Sequence, residues 1–142
     1  MLVVSIAGIF TITADELTAA PDIMVVGHHG GPEDSAVENS MEAVEQSITA
    51  GAGYVEMDIQ RTRDGQYVVF HDENFSRFTH ERRAVHEMTL AEIRELDLGE
   101  KSNGRFSNVR VPTLEELLER TRGRIGIFLE LKGRSADQQM AD

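Results

Sequence analysis

The sequence predicts an α/β fold, and three observations support this prediction. Apolar runs of strand length alternate with segments of helical periodicity from Asp22 onward, and the connections between them are short and rich in turn residues. The chain has 142 residues, of which 40% are hydrophobic, so it forms one domain at most and can fill a packed core. No internal repeat or low-complexity stretch interrupts the alternation.

The charge composition restricts the classes of partner. The chain carries 14 Lys and Arg against 25 Asp and Glu, a formal net charge of −11 with the five His neutral. An acidic surface without a basic patch repels phosphate backbones, so we expect no nucleic-acid partner, whereas divalent cations suit it. The absence of cysteine excludes a disulfide framework, a thiolate zinc site and a cysteine nucleophile.

Residues 1–21 are predicted to form an apolar N-terminal segment ahead of the domain at 22–142. Residues 1–12 are uncharged and mostly apolar, but the run is too short to span a bilayer and lacks the basic start of a secretory signal. Three interpretations stay open: the end of a membrane span, a degenerate signal sequence, or a strand or helix packed on the domain. The segment favours a membrane-associated or extracytoplasmic location over a cytoplasmic one.

The first strand and helix of the domain follow this segment. Residues 23–28 form an apolar run typical of a buried strand. A helix is predicted to begin at Asn39 or Ser40, and Asn39 as N-cap would place Glu42 at the third helical position of a capping box. The apolar stripe of this helix comprises Met41, Val44 and Ile48, and Gly51 and Gly53 end it.

Two further strands, at 54–60 and 66–71, are joined by the turn signal Asp64-Gly65. Their connection is too short for a helical crossover.

Two helices then begin with matching capping boxes, Thr89 with Glu92 and Thr113 with Glu116. The second helix leads into a last strand at 125–132. Its predicted apolar face comprises Leu114, Leu117 and Leu118.

Alternation along the strands separates an apolar face of the sheet from a polar one. Successive strand side chains point to opposite faces, so the polar face of the second strand comprises Glu56, Asp58 and Gln60. The last strand places Glu130 and Lys132 opposite its apolar residues. Ligands bind at strand ends in α/β folds, and unpaired inward-facing carboxylates are costly. Glu56, Asp58 and Glu130 together therefore predict a divalent-metal site rather than a solvated face.

Two histidines complete the candidate chemistry. His28 and His71 close the first and third strands, beside these carboxylates. Each histidine alone would be interpreted as structural, but the pair favours an acid and a base for phosphodiester hydrolysis. Asp72 either orients the His71 ring or caps the next turn. Two further histidines, His80 and His86, lie outside the predicted strands and are expected on the surface.

Taken in order, the motifs of this chain resemble those of the glycerophosphodiester phosphodiesterase family. The matching positions are His28-His-Gly30, Glu38-Asn-Ser40, 51–58, 62–65, 68–72, Arg77, 111–116, Glu130 and Lys132. The resemblance runs from about Val26 to Lys132. It is specific because many separate motifs occur in the family's order, whereas a single short motif would carry little weight.

The resemblance implies a TIM-type (β/α) barrel of the phospholipase-C-like phosphodiesterase kind, with irregular connections. A complete barrel needs roughly 250 residues, so we expect only its N-terminal half here. The resemblance also implies that Ca²⁺ or Mg²⁺ binds the residues matching Glu56, Asp58 and Glu130. Some members carry a membrane domain ahead of the barrel, which fits membrane association through the N-terminal segment.

The family's chemistry implies a role for the remaining site residues. By resemblance, His28 and His71 are the general acid and base, and Lys132 neutralises the phosphate. Glycerophosphodiesters would be hydrolysed to glycerol 3-phosphate and an alcohol such as choline or ethanolamine. Glu38, Asn39 and Asp72 are expected to support the site.

Two positions depart from the family pattern. His29 stands where the family usually has an arginine that contacts the phosphate. Because a histidine is shorter and lacks the bidentate fork, we expect weaker or pH-dependent phosphate binding at His29. Val37 replaces the usual proline, which is expected to alter only the loop. It leaves the role of Glu38 open between ligand support and helix capping.

Two other classes of function stay open. A lyase-type phospholipase C or sphingomyelinase D relative would share the strand-end histidines and acids. Alternatively, a half-barrel could bind a metal or a partner without turnover. The length of the match from Val26 to Lys132 favours the first family.

Overall fold

The computed structural model describes residues 2–5, 23–31 and 34–132. The strands of this part of the chain are β1 (Leu2–Ser5), β2 (Ile23–Gly27), β3 (Tyr54–Arg61), β4 (Tyr67–Val69) and β5 (Gly126–Leu131). The helices are α1 (Met41–Thr49), α2 (Leu90–Arg94) and α3 (Leu114–Thr121). The predicted alternation of strands and helices is therefore present.

The N-terminal segment is described only at β1, which pairs in parallel with β2. Residues 6–22 lie outside the described part of the chain, so the membrane and signal interpretations of this segment stay predictions. Within the described ranges, no helix has both the length and the apolar character needed to cross a membrane.

Strand β3 is the centre of the sheet. Along one edge it pairs in parallel with β5, from Tyr54 opposite Gly126 to Ile59 opposite Leu131. The other edge of β3 is shared: β2 pairs with its beginning in parallel, and β4 pairs with its end in antiparallel fashion. The β3–β4 hairpin explains why the connection between these strands was too short for a helical crossover.

The helices cover the apolar face of β3, as the alternation predicted. Val55, Met57 and Ile59 are at most 4% exposed. They form one core cluster with side chains of α1, β4 and α3, namely Val44, Val69 and Leu117. Burying side chains of this size contributes about 1.5–3 kcal/mol each. This packing holds β3 in place, with its polar face turned away from the helices.

A second cluster lies beneath the long segment between β4 and α3. Phe70 and Phe75 pack with ring centroids 4.5 Å apart, and the buried Val85, Met88 and Ile93 join them. The cluster anchors the residues that immediately follow β4, because Phe70 is itself part of it. This is the segment that carries His71.

The helix starts confirm two sequence predictions and correct a third. Thr89 and Thr113 are the N-caps of α2 and α3, each in a capping box. The N-cap of α1 is Ser40, whose Oγ accepts the Ala43 N–H at 3.2 Å. Of the two starts that the sequence left open, Ser40 is therefore confirmed, and the capping box of Asn39 with Glu42 is wrong. Asn39 instead has a left-handed backbone with φ 55° and is buried.

The predicted apolar face of α3 is only partly correct. Leu114 and Leu117 pack against the core, whereas Leu118 is exposed. A turn of about 100° per residue carries Leu118 past the edge of the face that meets the sheet. The surface positions predicted for His80 and His86 are confirmed by their exposure.

Candidate active site

The carboxylates of the candidate site come from two neighbouring strands. Asp58 and Glu130 are paired residues of the parallel β3–β5 ladder, and Glu56 precedes Asp58 by two residues on the same face. One oxygen of each carboxylate lies within 4.8 Å of the other two. Strand alternation and ladder register together thus place three acidic groups at one point.

Asp58 is fully buried and is held by Asn39. The Asn39 amide donates to Asp58 Oδ2 at 2.9 Å, and the Asp58 backbone N–H donates to Asn39 Oδ1 at 3.0 Å. The left-handed backbone of Asn39 turns its side chain toward β3 rather than toward the start of α1. This reciprocal pair of hydrogen bonds fixes Asp58 Oδ2 and leaves Asp58 Oδ1 on the side of Lys132, which follows β5.

Lys132 balances part of the negative charge. Its Nζ lies 2.7 Å from Glu130 Oε1 and 3.3 Å from Asp58 Oδ1, the second contact lacking hydrogen-bond geometry. The hydrogen bond to Glu130, helped by the charge of Asp58, raises the pKa of Lys132 above its usual value. Lys132 therefore stays protonated across the neutral range.

The carboxylates of Glu56, Asp58 and Glu130, here called the carboxylate cluster, fit a divalent cation. Glu56 Oε1 and Asp58 Oδ1 are buried and have no hydrogen-bond partner, an arrangement that is costly for charged oxygens. Hard oxygen ligands are those that Ca²⁺ and Mg²⁺ prefer. Glu56, Asp58 and Glu130 could therefore hold such an ion.

His71 reaches these carboxylates by a route that differs from the sequence interpretation. β4 runs antiparallel to β3 and returns toward its centre, so that the Phe70 N–H donates to the Asp58 carbonyl at 2.9 Å. His71 follows at once, and its ring approaches the site from that side. The antiparallel return, not the end of a parallel strand, brings His71 to the level of Asp58.

Asp72 orients the His71 ring. His71 Nδ1 lies 2.9 Å from Asp72 Oδ1, whereas the N-cap of the next turn is Asn74. Partial burial alone would raise the pKa of Asp72, but hydrogen bonds from Arg77 and His71 outweigh it and hold this pKa below its ordinary value. Of the two roles left open by the sequence, ring orientation is the one that the geometry supports.

Arg77 joins Asp72 to Glu38. Its Nε donates to Asp72 Oδ2 at 2.7 Å, and its Nη1 donates to Glu38 Oε2 at 2.9 Å. A second bond joins Arg77 Nη2 to Glu38 Oε1, and the pKa of Arg77 is raised by these carboxylates. Glu38 thus supports the site through Arg77 and does not cap α1.

His28 and His29 form a 3₁₀ turn, His28–Gly30, directly after β2. His28 Nε2 lies 3.9 Å from Glu56 Oε2, and its ring stacks on that of His29 with centroids 3.7 Å apart. The His29 ring lies 4.8 Å from the ring of His71. The three imidazoles are therefore in one cluster beside the carboxylates.

His29 is held in a left-handed backbone conformation, with φ 50° and ψ 32°. Such a conformation costs a residue with a side chain about 1–2 kcal/mol. Two hydrogen bonds offset this cost: the His29 N–H donates to Glu56 Oε2 at 3.0 Å, and its carbonyl accepts the Asn39 N–H at 2.7 Å. They direct the largely buried ring toward Asp58, whose Oδ2 lies 3.5 Å from His29 Nε2.

Gln60 and Arg77 are site residues to which sequence reasoning gave no role. Gln60 Nε2 donates to the carbonyls of Phe70, His71 and Asp72 at 2.9, 3.2 and 2.7 Å. The amide of Gln60 thereby fixes the backbone that carries His71. Strand alternation placed Gln60 on the polar face of β3, and this position was the sequence signal for its role in the site. Arg77 carried no signal beyond its place in a family motif.

Comparisons with known proteins identify the family. The model of the Glycerophosphoryl diester phosphodiesterase family matches residues 28–142, most of the chain. The chain belongs to this family. YhdW of Bacillus subtilis is 37% identical over 110 residues, covering 78% of this chain and 45% of the relative. The glycerophosphodiester phosphodiesterase of Caldanaerobacter subterraneus is 38% identical over 96 residues, covering 68% of this chain and 39% of the relative.

Solved structures of the family share the fold. The glycerophosphodiester phosphodiesterase of Agrobacterium tumefaciens superimposes with a TM-score of 0.70 and 36% identity, over 78% of this chain and 47% of that structure. A phosphodiesterase of Oleispira antarctica, solved with the product sn-glycerol-3-phosphate, gives a TM-score of 0.71 and 30% identity. The match covers 80% of this chain and 46% of that structure. The predicted TIM-type barrel is confirmed, as a partial barrel. The chain spans about half the length of the relatives it matches.

Proposed function

We propose that this chain carries the catalytic site of a metal-dependent glycerophosphodiester hydrolase. The observation that supports the proposal is that His28, beside Glu56, and His71, beside Asp58, meet the three-carboxylate group of Glu56, Asp58 and Glu130 in a member of this family. A relative with the same fold was solved with sn-glycerol-3-phosphate as product. The proposed products are accordingly glycerol 3-phosphate and an alcohol.

Glu56, Asp58 and Glu130 would hold Ca²⁺ or Mg²⁺. Such an ion, when bound, polarises phosphoryl oxygens and stabilises the negative charge of the transition state. The carboxylate of Asp58 is preorganised for this role by Asn39, independently of any ligand. Lys132, protonated beside Glu130, adds a positive charge for the substrate phosphate.

His71 is the proposed general base. Its Nδ1 is engaged by Asp72, so Nε2 is the nitrogen left to accept a proton from the nucleophile. That nucleophile is a water molecule or the free glycerol hydroxyl of the substrate. Its oxygen forms the new bond to phosphorus while the bond to the leaving alcohol breaks. With the hydroxyl as nucleophile, the first product is a cyclic glycerol phosphate, which a water molecule then opens to glycerol 3-phosphate.

His28 is the proposed general acid. It lies on a different element from His71, next to Glu56, and is partly open to solvent. A protonated His28 would give its proton to the departing alkoxide, which leaves as the neutral alcohol. His29, at the position of the family's usual arginine, offers the phosphate a single ring in place of a bidentate fork.

The experiment is the release of glycerol phosphate from glycerophosphocholine by the purified chain, with Ca²⁺, Mg²⁺ or EDTA. The matched variants are His71→Ala and His86→Ala, the second on the surface. We expect release that needs the metal, is lost in His71→Ala and is retained in His86→Ala.

The assay is also run on a chain extended to the length of the family relatives. Release by either chain with this pattern supports the proposal. Metal-independent release, equal release by His71→Ala, or no release by either chain contradicts it.

A further inference from the structure

The ring of His29 lies against Oδ2 of Asp58, and together with His71 it offers a set of metal ligands that differs from the three carboxylates. His29, Asp58 and His71 each offer one ligand atom, and these atoms all lie within 4.8 Å of one another. His29 Nε2 is 3.5 Å from Asp58 Oδ2, and its Nδ1 is buried without a hydrogen-bond partner. Neither histidine belongs to the carboxylate cluster described above.

The donor set of this group differs from that of the carboxylate cluster. Two imidazoles and one carboxylate suit Zn²⁺ or Co²⁺, which prefer nitrogen ligands more than Ca²⁺ and Mg²⁺ do. Three protein ligands and an open position are sufficient for a zinc ion. An arginine at position 29 could not ligate a cation, so His29 is the residue that makes this set possible.

The surroundings of the two histidines favour a bound metal. Asp72 holds His71 Nδ1 at 2.9 Å, so Nε2 is the nitrogen of His71 that is available to a metal. A carboxylate behind a histidine is the usual support of a metal-ligating imidazole. His29 is held differently, through its backbone: Glu56 and Asn39 fix its left-handed conformation, and its ring lies against Asp58.

Charge also favours a second cation. The site contains more carboxylates than Lys and Arg side chains: Glu38, Glu56, Asp58, Asp72 and Glu130 against Lys132 and Arg77. One divalent ion in the carboxylate cluster would not fully neutralise this excess. A carboxylate shared between two cations, as Asp58 would be, is common in two-metal sites.

We propose that His29, Asp58 and His71 form a second cation site, which binds a transition-metal ion such as Zn²⁺ and shares Asp58 with the carboxylate cluster. A metal there occupies the nitrogen of His71 that the proposed hydrolysis uses as base. If that function holds, Zn²⁺ inhibits turnover. The binding itself does not depend on the proposed function.

The test is Zn²⁺ titration calorimetry at neutral pH on the chain purified without a histidine tag. Co²⁺ is the spectroscopic probe, because a low coordination number gives it strong visible absorption. The variants are His29→Asn, which tolerates the left-handed backbone, and Glu130→Gln, which alters only the carboxylate cluster. His80→Asn, at an exposed histidine, is the matched control.

We expect wild type to bind one Zn²⁺ per chain and to develop the Co²⁺ band. His29→Asn should weaken Zn²⁺ binding by at least about a hundredfold, since even the loss of an outer support costs 10–100-fold. Glu130→Gln and His80→Asn should retain Zn²⁺ binding within about threefold of wild type, because neither residue belongs to the proposed ligand set.

Absence of Zn²⁺ binding by wild type overturns the proposal. Unchanged Zn²⁺ binding in His29→Asn also overturns it. The same conclusion follows if Glu130→Gln or His80→Asn loses Zn²⁺ binding while His29→Asn retains it. Circular dichroism of His29→Asn establishes that the variant is folded, and the wild-type Co²⁺ spectrum reports the coordination number of the bound ion without any substitution. Because activity is not the readout, failure of the hydrolysis assay does not affect this result.

Discussion

The two halves of the site are built differently. The half on β3 and the segment after β4 is buried and hydrogen-bonded: Asp58 is 0% exposed and Gln60 6%. The half on β5 is open, with the Glu130 side chain 56% exposed and held by the ladder to β3 and the bond to Lys132. The first half is therefore preorganised by the protein itself. The second half depends on its ion pair and on whatever ligand binds there.

The largest expected effect is on the buried half. Asn39→Ala removes two hydrogen bonds and leaves the buried Asp58 carboxylate with a further unpaired oxygen. We expect a loss of about 3 kcal/mol in the free energy of unfolding, measured by urea denaturation.

A matched control separates this loss from backbone strain. Asn108 is exposed and has φ 59°, close to that of Asn39, so Asn108→Ala removes the same conformational preference without the buried bonds. It should cost about 1 kcal/mol. Equal losses in the two variants would mean that the Asn39–Asp58 pair stabilises nothing, and the contrast between the halves would disappear.

The next effect is on the support of His71. Arg77→Met removes the bonds to Asp72 and Glu38, so the pKa of Asp72 should rise toward its ordinary value. In the wild type this carboxylate adds stability above its ordinary pKa, and the contribution is lost as the pH falls through the lowered value. We expect kcat to fall about a hundredfold with little change in KM, because His71 loses its orientation.

Carboxyl NMR titration measures the pKa of Asp72 in Arg77→Met, and steady-state kinetics measures kcat and KM. Arg83→Met serves as the comparison, since Arg83 pairs with Glu81 and Glu92, none of which the geometry places in the site. An Arg77→Met variant with an unchanged Asp72 titration would contradict the role given to Arg77.

The open half should tolerate substitution. Glu130→Gln leaves a half-exposed polar side chain in place and removes one ion pair with Lys132. We expect the free energy of unfolding to change by less than about 1 kcal/mol. A loss as large as that of Asn39→Ala in the same urea experiment would show that both halves are equally preorganised.

The smallest expected effect on the free energy of unfolding is that of a surface ion pair, and it is the baseline for the larger effects in the site. Hydrogen bonds from Arg124 and Arg120 lower the pKa of Glu45 on α1 to about 2. The charged Glu45 therefore adds stability above pH 4.5, which is lost as the pH falls from about 4.5 through about 2. Glu45→Gln should cost below about 1 kcal/mol at neutral pH, and this cost should shrink as the pH falls toward about 2.

The pH dependence of unfolding, compared with that of Glu119→Gln on the exposed face of α3, measures the Glu45 contribution. A cost in Glu45→Gln that is as large at pH 2 as at neutral pH would mean that packing, not charge, is what Glu45 contributes.

What the sequence could predict was local or periodic. Strand alternation placed Glu56, Asp58 and Gln60 on one face because successive strand side chains must point to opposite sides. The capping boxes at Thr89 and Thr113 were readable because their partners are three residues apart. The resemblance to the family then supplied the barrel.

The remaining features depend on partners distant in sequence. Asn39 satisfied a local capping rule, but its partner Asp58 lies 19 residues away and Ser40 took the cap. Arg77 meets Glu38 across 39 residues, a contact without a local sequence signal. The short connection indicated a hairpin, but the level at which it delivers His71 beside Asp58 depends on the register of β3 and β4.

The central claim is a division of labour, in which carboxylates hold the metal and His71 moves the proton. Calcium affinity, measured by titration calorimetry on wild type, Glu130→Gln and His71→Ala, tests it most directly. The account predicts an affinity about tenfold or more lower in Glu130→Gln and within about threefold of wild type in His71→Ala. Equal loss of calcium affinity in both variants, or no loss in Glu130→Gln, would contradict it.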